Sequence, residues 1–119
     1  MEQQTILIVD DDREIVRVIS KILELEGYKT LKAYDGLEAM DMLVGNVVHL
    51  IMIDIMMPKM NGLAAVMKIR ETNNIPIIIL SAKTEETDKV LGLSMGADDY
   101  ISKPFNTQEM IARVKAQLR

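Results

Sequence analysis

The chain has no cysteine among its 119 residues, which removes disulfide bridges and thiolate metal sites at one stroke. Its one histidine, His49, excludes a multi-histidine metal centre, and a lone His at a strand edge reads as a surface or packing residue. Long hydrophobic runs are missing too: stretches such as Ile75 to Leu80 are far too short to cross a bilayer. No basic segment followed by an apolar one opens the sequence, so a soluble cytoplasmic protein without membrane contact is expected. Basic excess is also lacking, with 14 Lys and Arg against 18 Asp and Glu and a net charge of -4. Direct nucleic-acid binding needs clustered Lys and Arg to neutralise phosphates, so any DNA contact belongs elsewhere.

What is present suits one compact domain. A hydrophobic content of 49% in a chain of this length fills a single core, with the ten Met acting as flexible filler. Apolar, β-branched runs predict strands at Thr5–Val9, Tyr28–Ala33, Val47–Ile53, Ile75–Leu80 and Tyr100–Ser102. Helix-period stretches alternate with them. Ile15, Ile19, Ile22 and Leu23 share one face, as do Ala39, Met40 and Leu43, then Ala65, Val66 and Ile69, then Met110, Ile111, Val114 and Leu118; Thr84–Met95 is less regular. Asp35 with Glu38 and Asn106 with Glu109 predict helix starts, and Gly27 and Gly96 predict stops. Strict alternation gives right-handed crossovers and a parallel sheet covered on both faces.

In such a five-stranded sheet the common strand order is 2-1-3-4-5, and ligands bind where the winding reverses, beyond the carboxyl ends of strands one and three. That explains why "ILIVDDDREI" runs from an apolar strand into Asp10, Asp11 and Asp12: the first two end strand one, and Asp54 of "MIDIMMP" ends strand three. Strands four and five bring Ser81 ("ILSAK") and Lys103 ("YISKPF") to the same edge. Clustered carboxylates with a cation and a hydroxyl suit Mg²⁺, which combines one or two carboxylates with waters and a phosphate oxygen. A carboxylate beside that metal can attack phosphorus and form an aspartyl phosphate. Asp54, central among the others, is the candidate; Asp10 and Asp11 are then occupied with the cation. Asp12 is better read as the cap of the first helix than as a ligand.

The segments "VDDD", "IDIMMPKMNG", "LSA" and "GADDYISKPF" together resemble the receiver domain of bacterial two-component response regulators over almost the whole chain. The resemblance implies a flavodoxin-like doubly wound fold with five helices and a receiver domain over residues 1–119. It implies phosphoryl transfer from a phosphohistidine on a sensor histidine kinase to Asp54, with Asp11, Asp54 and the Met56 carbonyl on Mg²⁺ and Asp10 acting through water. Ser81 and Tyr100 take the switching roles, Lys103 pairs with Asp54 or its phosphate, and the Lys103–Pro104 peptide is cis. Ser81 stands where Thr is frequent and Asp12 where Glu is frequent; Met56 and Lys83 flank the pocket and tune loss of the phosphoryl group.

Gly92 weakens the fourth helical stretch by about 1 kcal/mol relative to Ala, so it looks easy to remodel. Lys89 with Glu109 and Asp99 with Arg113 match charges that receivers of the OmpR/PhoB type pair across a symmetric dimer, with Val90, Leu93 and Ala112 at its apolar centre. The expected output is therefore a homodimer formed on phosphorylation. It would control a DNA-binding regulator whose effector domain is absent from this chain; a stand-alone receiver is the alternative. A haloacid-dehalogenase-like phosphatase would be phosphorylated on Asp10 instead. A flavodoxin-like cofactor carrier would need a Gly-, Ser- or Thr-rich phosphate loop where this chain has "DDDREI".

Overall fold

A computed structural model of the chain describes residues 3–55, 62–82, 90 and 93–119. The strands are β1 (Thr5–Val9), β2 (Lys29–Ala33), β3 (Leu50–Ile53), β4 (Ile77–Ser81) and β5 (Asp99–Ser102). The helices are α1 (Arg13–Leu25), α2 (Gly36–Gly45), α3 (Gly62–Arg70) and α4 (Thr107–Gln117). The strands form one sheet in the order β2-β1-β3-β4-β5, every pair parallel. Four helices rather than five stand among the described residues. The expected helix over Thr84–Met95, including Lys83, Lys89 and Gly92 in or beside it, lies largely outside them, although Val90, Leu93 and Ser94 are helical.

Every residue of β1, β3 and β4 is buried, because helices cover both faces of the sheet and successive side chains must enter one core or the other. Leu7, Val9, Ile51, Ile53, Ile77 and Ile79 cluster with Ala39 of α2 and Ala65, Val66 and Ile69 of α3. Ile6, Ile8, Leu50, Met52, Ile78 and Leu80 face the other way, toward Val16, Ile19 and Leu23 of α1 and Met110 and Val114 of α4. The stripe that α1 buries is thus Val16, Ile19, Ser20 and Leu23, with the expected Ile15 and Ile22 only flanking it.

Strand starts shift for local reasons. Pairing of β1 with β3 begins at Ile6 opposite Leu50, not at Val47, because the His49 imidazole Nδ1 accepts the Thr5 N–H at 2.9 Å and Val47 is solvent-facing. His49 is therefore structural. Strand β4 begins after Pro76, which has no N–H, and the Ile77 N–H is taken by Asp98 Oδ2 at 2.8 Å. After α1, Gly27 at φ 96° ends the helix, with the Gly27 N–H on the Glu24 carbonyl and the Tyr28 N–H on the Leu23 carbonyl. Gly96, at φ 114°, likewise follows the helical Leu93 and Ser94. Among the described residues no helix is long and apolar enough to cross a membrane.

Candidate functional site

Two backbone bonds extend the sheet ladder by one residue past its strands and so place the acids. The Asp10 N–H donates to the Ala33 carbonyl at 3.1 Å, and the Asp54 N–H donates to the Val9 carbonyl at 2.9 Å. With β1 and β3 in register at Val9 and Ile53, the next row at the sheet edge sets Asp10 beside Asp54. Asp10 is fully buried and Asp54 is 4% exposed, whereas Asp11 faces solvent. One carboxylate oxygen from each of the three lies within 4.8 Å of the others.

Lys103 completes the group from β5. Its backbone N–H donates to the Ser81 carbonyl at 2.8 Å, and the peptide to Pro104 is cis, as expected. The ammonium donates to Asp10 Oδ2 at 2.7 Å and to Asp54 Oδ2 at 3.0 Å. Asp10 Oδ1 also accepts the Asp12 N–H at 3.0 Å, so both Asp10 oxygens are engaged. Asp12 itself turns to α1, where Oδ1 accepts the Glu14 and Ile15 N–H groups, the helix-cap role. Asp35 and Asn106 cap α2 and α4 in the same manner, although Glu38 reaches back to the Tyr34 N–H rather than to that of Asp35.

Among the described residues the charges do not balance: two buried carboxylates share one ammonium, and Asp11 adds a third negative group. Burial pushes the Asp10 carboxyl above its ordinary range, and the Asp54 charge adds to this, against the opposing bonds from Lys103 and the Asp12 N–H. Burial also works against the Lys103 ammonium, but its bonds to Asp10 and Asp54 outweigh that cost and raise its pKa. Because the folded protein holds the Asp10 proton more tightly than the unfolded chain, ionising Asp10 costs stability as pH rises from 3.8 upward. An all-oxygen, net-negative donor set of this kind fits a hard divalent cation such as Mg²⁺.

The other expected site residues sit as follows. Ser81 is fully buried at the end of β4, opposite Ser102. Tyr100, opposite Ile79, is 6% exposed and belongs to the cluster under α2 and α3. Met56 lies outside the described residues. On the expected dimer face, Val90, Leu93 and Ala112 are exposed, while Lys89 is outside the described residues. Asp99 and Arg113, expected to pair between chains, are bonded within one chain at 2.7 Å, and Glu109 stands 3.5 Å from the same guanidinium.

Gly62, the last residue of the "IDIMMPKMNG" segment, has a packing role that the segment itself does not announce. A Cβ there would stand 2.2 Å from the Asp54 carbonyl oxygen and 2.4 Å from Ile55 Cα, so only glycine lets α3 start against the strand end that carries Asp54. The Asn61–Gly62 pair is its only local signal.

Fold and site define a doubly wound α/β protein with an acidic, lysine-bridged pocket at its switch point. The response regulator receiver domain family matches residues 6–115, and the chain belongs to that family. The transcriptional regulatory protein CpxR of Escherichia coli strain K12 is 46% identical over 114 residues, covering 96% of this chain and 49% of that protein. Response regulator GtcR of Aneurinibacillus migulanus is 47% identical over 116 residues, covering 98% and 48%. The chain therefore spans about half the length of the curated relatives it matches. Among solved structures, the Francisella response regulator 1452 receiver domain superposes with a TM-score of 0.92 at 38% identity, covering 98% of this chain and 97% of that one. A two-component response regulator from Clostridium difficile gives 0.95 at 32%, with the same coverage. The chain is a receiver domain of a two-component response regulator, and its relatives are transcriptional regulators.

The charge imbalance predicts opposite signs for two substitutions in urea unfolding without divalent ions. Lys103→Met, which removes the ammonium from two buried carboxylates, lowers stability by about 3 kcal/mol. Asp10→Asn, which removes the excess charge and keeps an acceptor, raises it by about 1 kcal/mol. A loss of stability in both variants contradicts the imbalance.

Proposed function

We propose that Asp54 is the phosphoacceptor of this receiver and that a sensor histidine kinase is the donor. The observation that carries this reading is the Lys103 ammonium, held on Asp54 at 3.0 Å in a pocket of three carboxylates. Asp10 is a poor nucleophile here because Lys103 and the Asp12 N–H occupy both of its oxygens. This weighs against a phosphatase that would be phosphorylated on Asp10. In the transfer an Asp54 oxygen forms a bond to phosphorus as the phosphorus–nitrogen bond of the phosphohistidine breaks, and the imidazole keeps the electron pair. Lys103 lies where its charge offsets that of the phosphoryl oxygens. Asp10, Asp11 and Asp54, with the Met56 carbonyl, are the residues to hold Mg²⁺, which when bound supplies further positive charge for those oxygens. The chain catalyses only its own phosphorylation and dephosphorylation.

The phosphorylated state is read out by a shift between two packed arrangements, in which the Ser81 hydroxyl meets a phosphoryl oxygen and the Tyr100 ring responds. The output surface combines the exposed Val90, Leu93 and Ala112 with Lys89, Glu109, Asp99 and Arg113, and it forms a symmetric homodimer on phosphorylation. Exposed ion pairs contribute about 0 to 1 kcal/mol each, so those charges set register more than affinity. DNA binding belongs to a segment outside this chain, in keeping with relatives twice its length, and the whole regulator works in the cytoplasm.

Intact mass after incubation with Mg²⁺ and acetyl phosphate tests the acceptor: the parent gains one phosphoryl group and Asp54→Asn gains none. An unlabelled parent, or equal labelling of the variant, contradicts the assignment. Sedimentation tests the output: the beryllofluoride-treated protein forms a dimer whose population rises with concentration, and monomer alone at high concentration contradicts the dimer.

A further inference from the structure

Arg13 is the first residue of α1, two positions past Asp11, and it is exposed. Its guanidinium carbon lies 3.9 Å from the centroid of the Tyr34 ring, a cation–π contact. Among the described residues it makes no hydrogen bond or ion pair; the neighbouring Glu14 is paired with Arg17 instead. Five donors are thus unused on a cation that the ring nevertheless holds in place. Both ends of the contact are fixed. Asp12 caps the helix that begins at Arg13, and the Tyr34 N–H is bound to Glu38 Oε1 at 2.8 Å.

The sheet places this cation beside the acidic pocket. Val9 is in register with Ala33 on one side and Ile53 on the other, so the next row at the carboxyl edge runs Tyr34, Asp10, Asp54. At about 4.8 Å per strand, the Tyr34 backbone is about 10 Å from that of Asp54. That is about one Debye length at 0.1 M salt, close enough for a fixed charge to act on a reactant approaching Asp54 at lower salt. The reactant is anionic and the pocket opposes it. Among the described residues Asp10, Asp11, Asp12 and Asp54 outnumber Lys103, and one divalent ion still leaves that group net negative. Glu38, bound to the Tyr34 backbone, adds to that field from the α2 side.

We infer that Arg13, held against Tyr34, is a specificity-determining residue for the phosphodonor: a fixed rim cation that favours donors in proportion to their negative charge. This rests on Asp54 being the acceptor. At any one separation Coulomb attraction acts about twice as strongly on a dianion as on a monoanion, and salt abolishes both effects. The rest of the pocket is untouched by the contact, so Arg13 changes the rate of encounter and not the chemistry at phosphorus.

The test measures initial labelling rates by intact mass at saturating Mg²⁺, with acetyl phosphate as dianionic donor and phosphoramidate as monoanionic donor. At low ionic strength Arg13→Ala slows labelling by acetyl phosphate about threefold and by phosphoramidate about 1.7-fold, and both differences vanish by about 0.5 M salt. Arg13→Lys retains most of the parent rate, and Tyr34→Leu, which frees the guanidinium, falls between parent and Arg13→Ala. Rates unchanged in Arg13→Ala, or an equal loss for both donors that salt does not alter, would overturn the inference while leaving Asp54 as acceptor. A parent that takes up no phosphoryl group from either donor would instead remove the acceptor assignment beneath it.

Discussion

One ammonium shared between two buried carboxylates is the constraint on which the rest of this molecule depends. Lys103 reaches Asp10 and Asp54 together, at 2.7 and 3.0 Å, and cannot neutralise both. Burying charge is costly unless it is paired, and among the described residues this pocket is short of positive charge. Such an all-oxygen, net-negative donor set fits a divalent cation, and the proposed acceptor role of Asp54 rests on the same cluster. It also sits at the carboxyl edge of the sheet, where the ends of β1, β3 and β5 deliver side chains to one point.

The fold supplies the rigidity this arrangement needs. Both faces of β1, β3 and β4 are buried, so those strands have no freedom to slip in register, and the acids at their ends inherit that precision. The ladder runs one residue beyond the strands, through the Asp10 and Asp54 N–H groups, and fixes the backbone of each acid directly. Behind Asp54, Gly62 allows the start of α3 to press against the strand end. A remote core and a strained charge cluster are in this way parts of one device: the packing energy of the two apolar layers holds carboxylates together that would otherwise move apart.

Much of this was legible in the amino-acid order because it depends on local pattern. Apolar runs ending in Asp10, Asp54, Ser81 and Lys103 revealed both the strands and the edge they share, and Asp12, Asp35 and Asn106 are caps readable from spacing alone. Other features depend on what the chain meets in space. The third strand starts at Leu50 because the His49 side chain intercepts a backbone donor, and no periodicity encodes that. Gly62 matters only through the backbone it approaches. The Asp99–Arg113 pair closes within one chain because β5 and α4 bring them together, a contact 14 residues apart that charge pattern alone could equally assign to a partner. Arg13 and Tyr34 are separated by a whole helix and strand, and nothing in either neighbourhood announces their stacking.

The central claim is that carboxylates brought together at the ends of β1 and β3 form a single divalent-ion seat. Isothermal titration of the chain with Mg²⁺ addresses it most directly. The account predicts one ion bound per chain, with affinity reduced about tenfold or more in Asp11→Asn and in Asp54→Asn, since each substitution removes a charged oxygen donor from the cluster. Affinity unchanged in both variants, or no saturable binding to the parent, would contradict it.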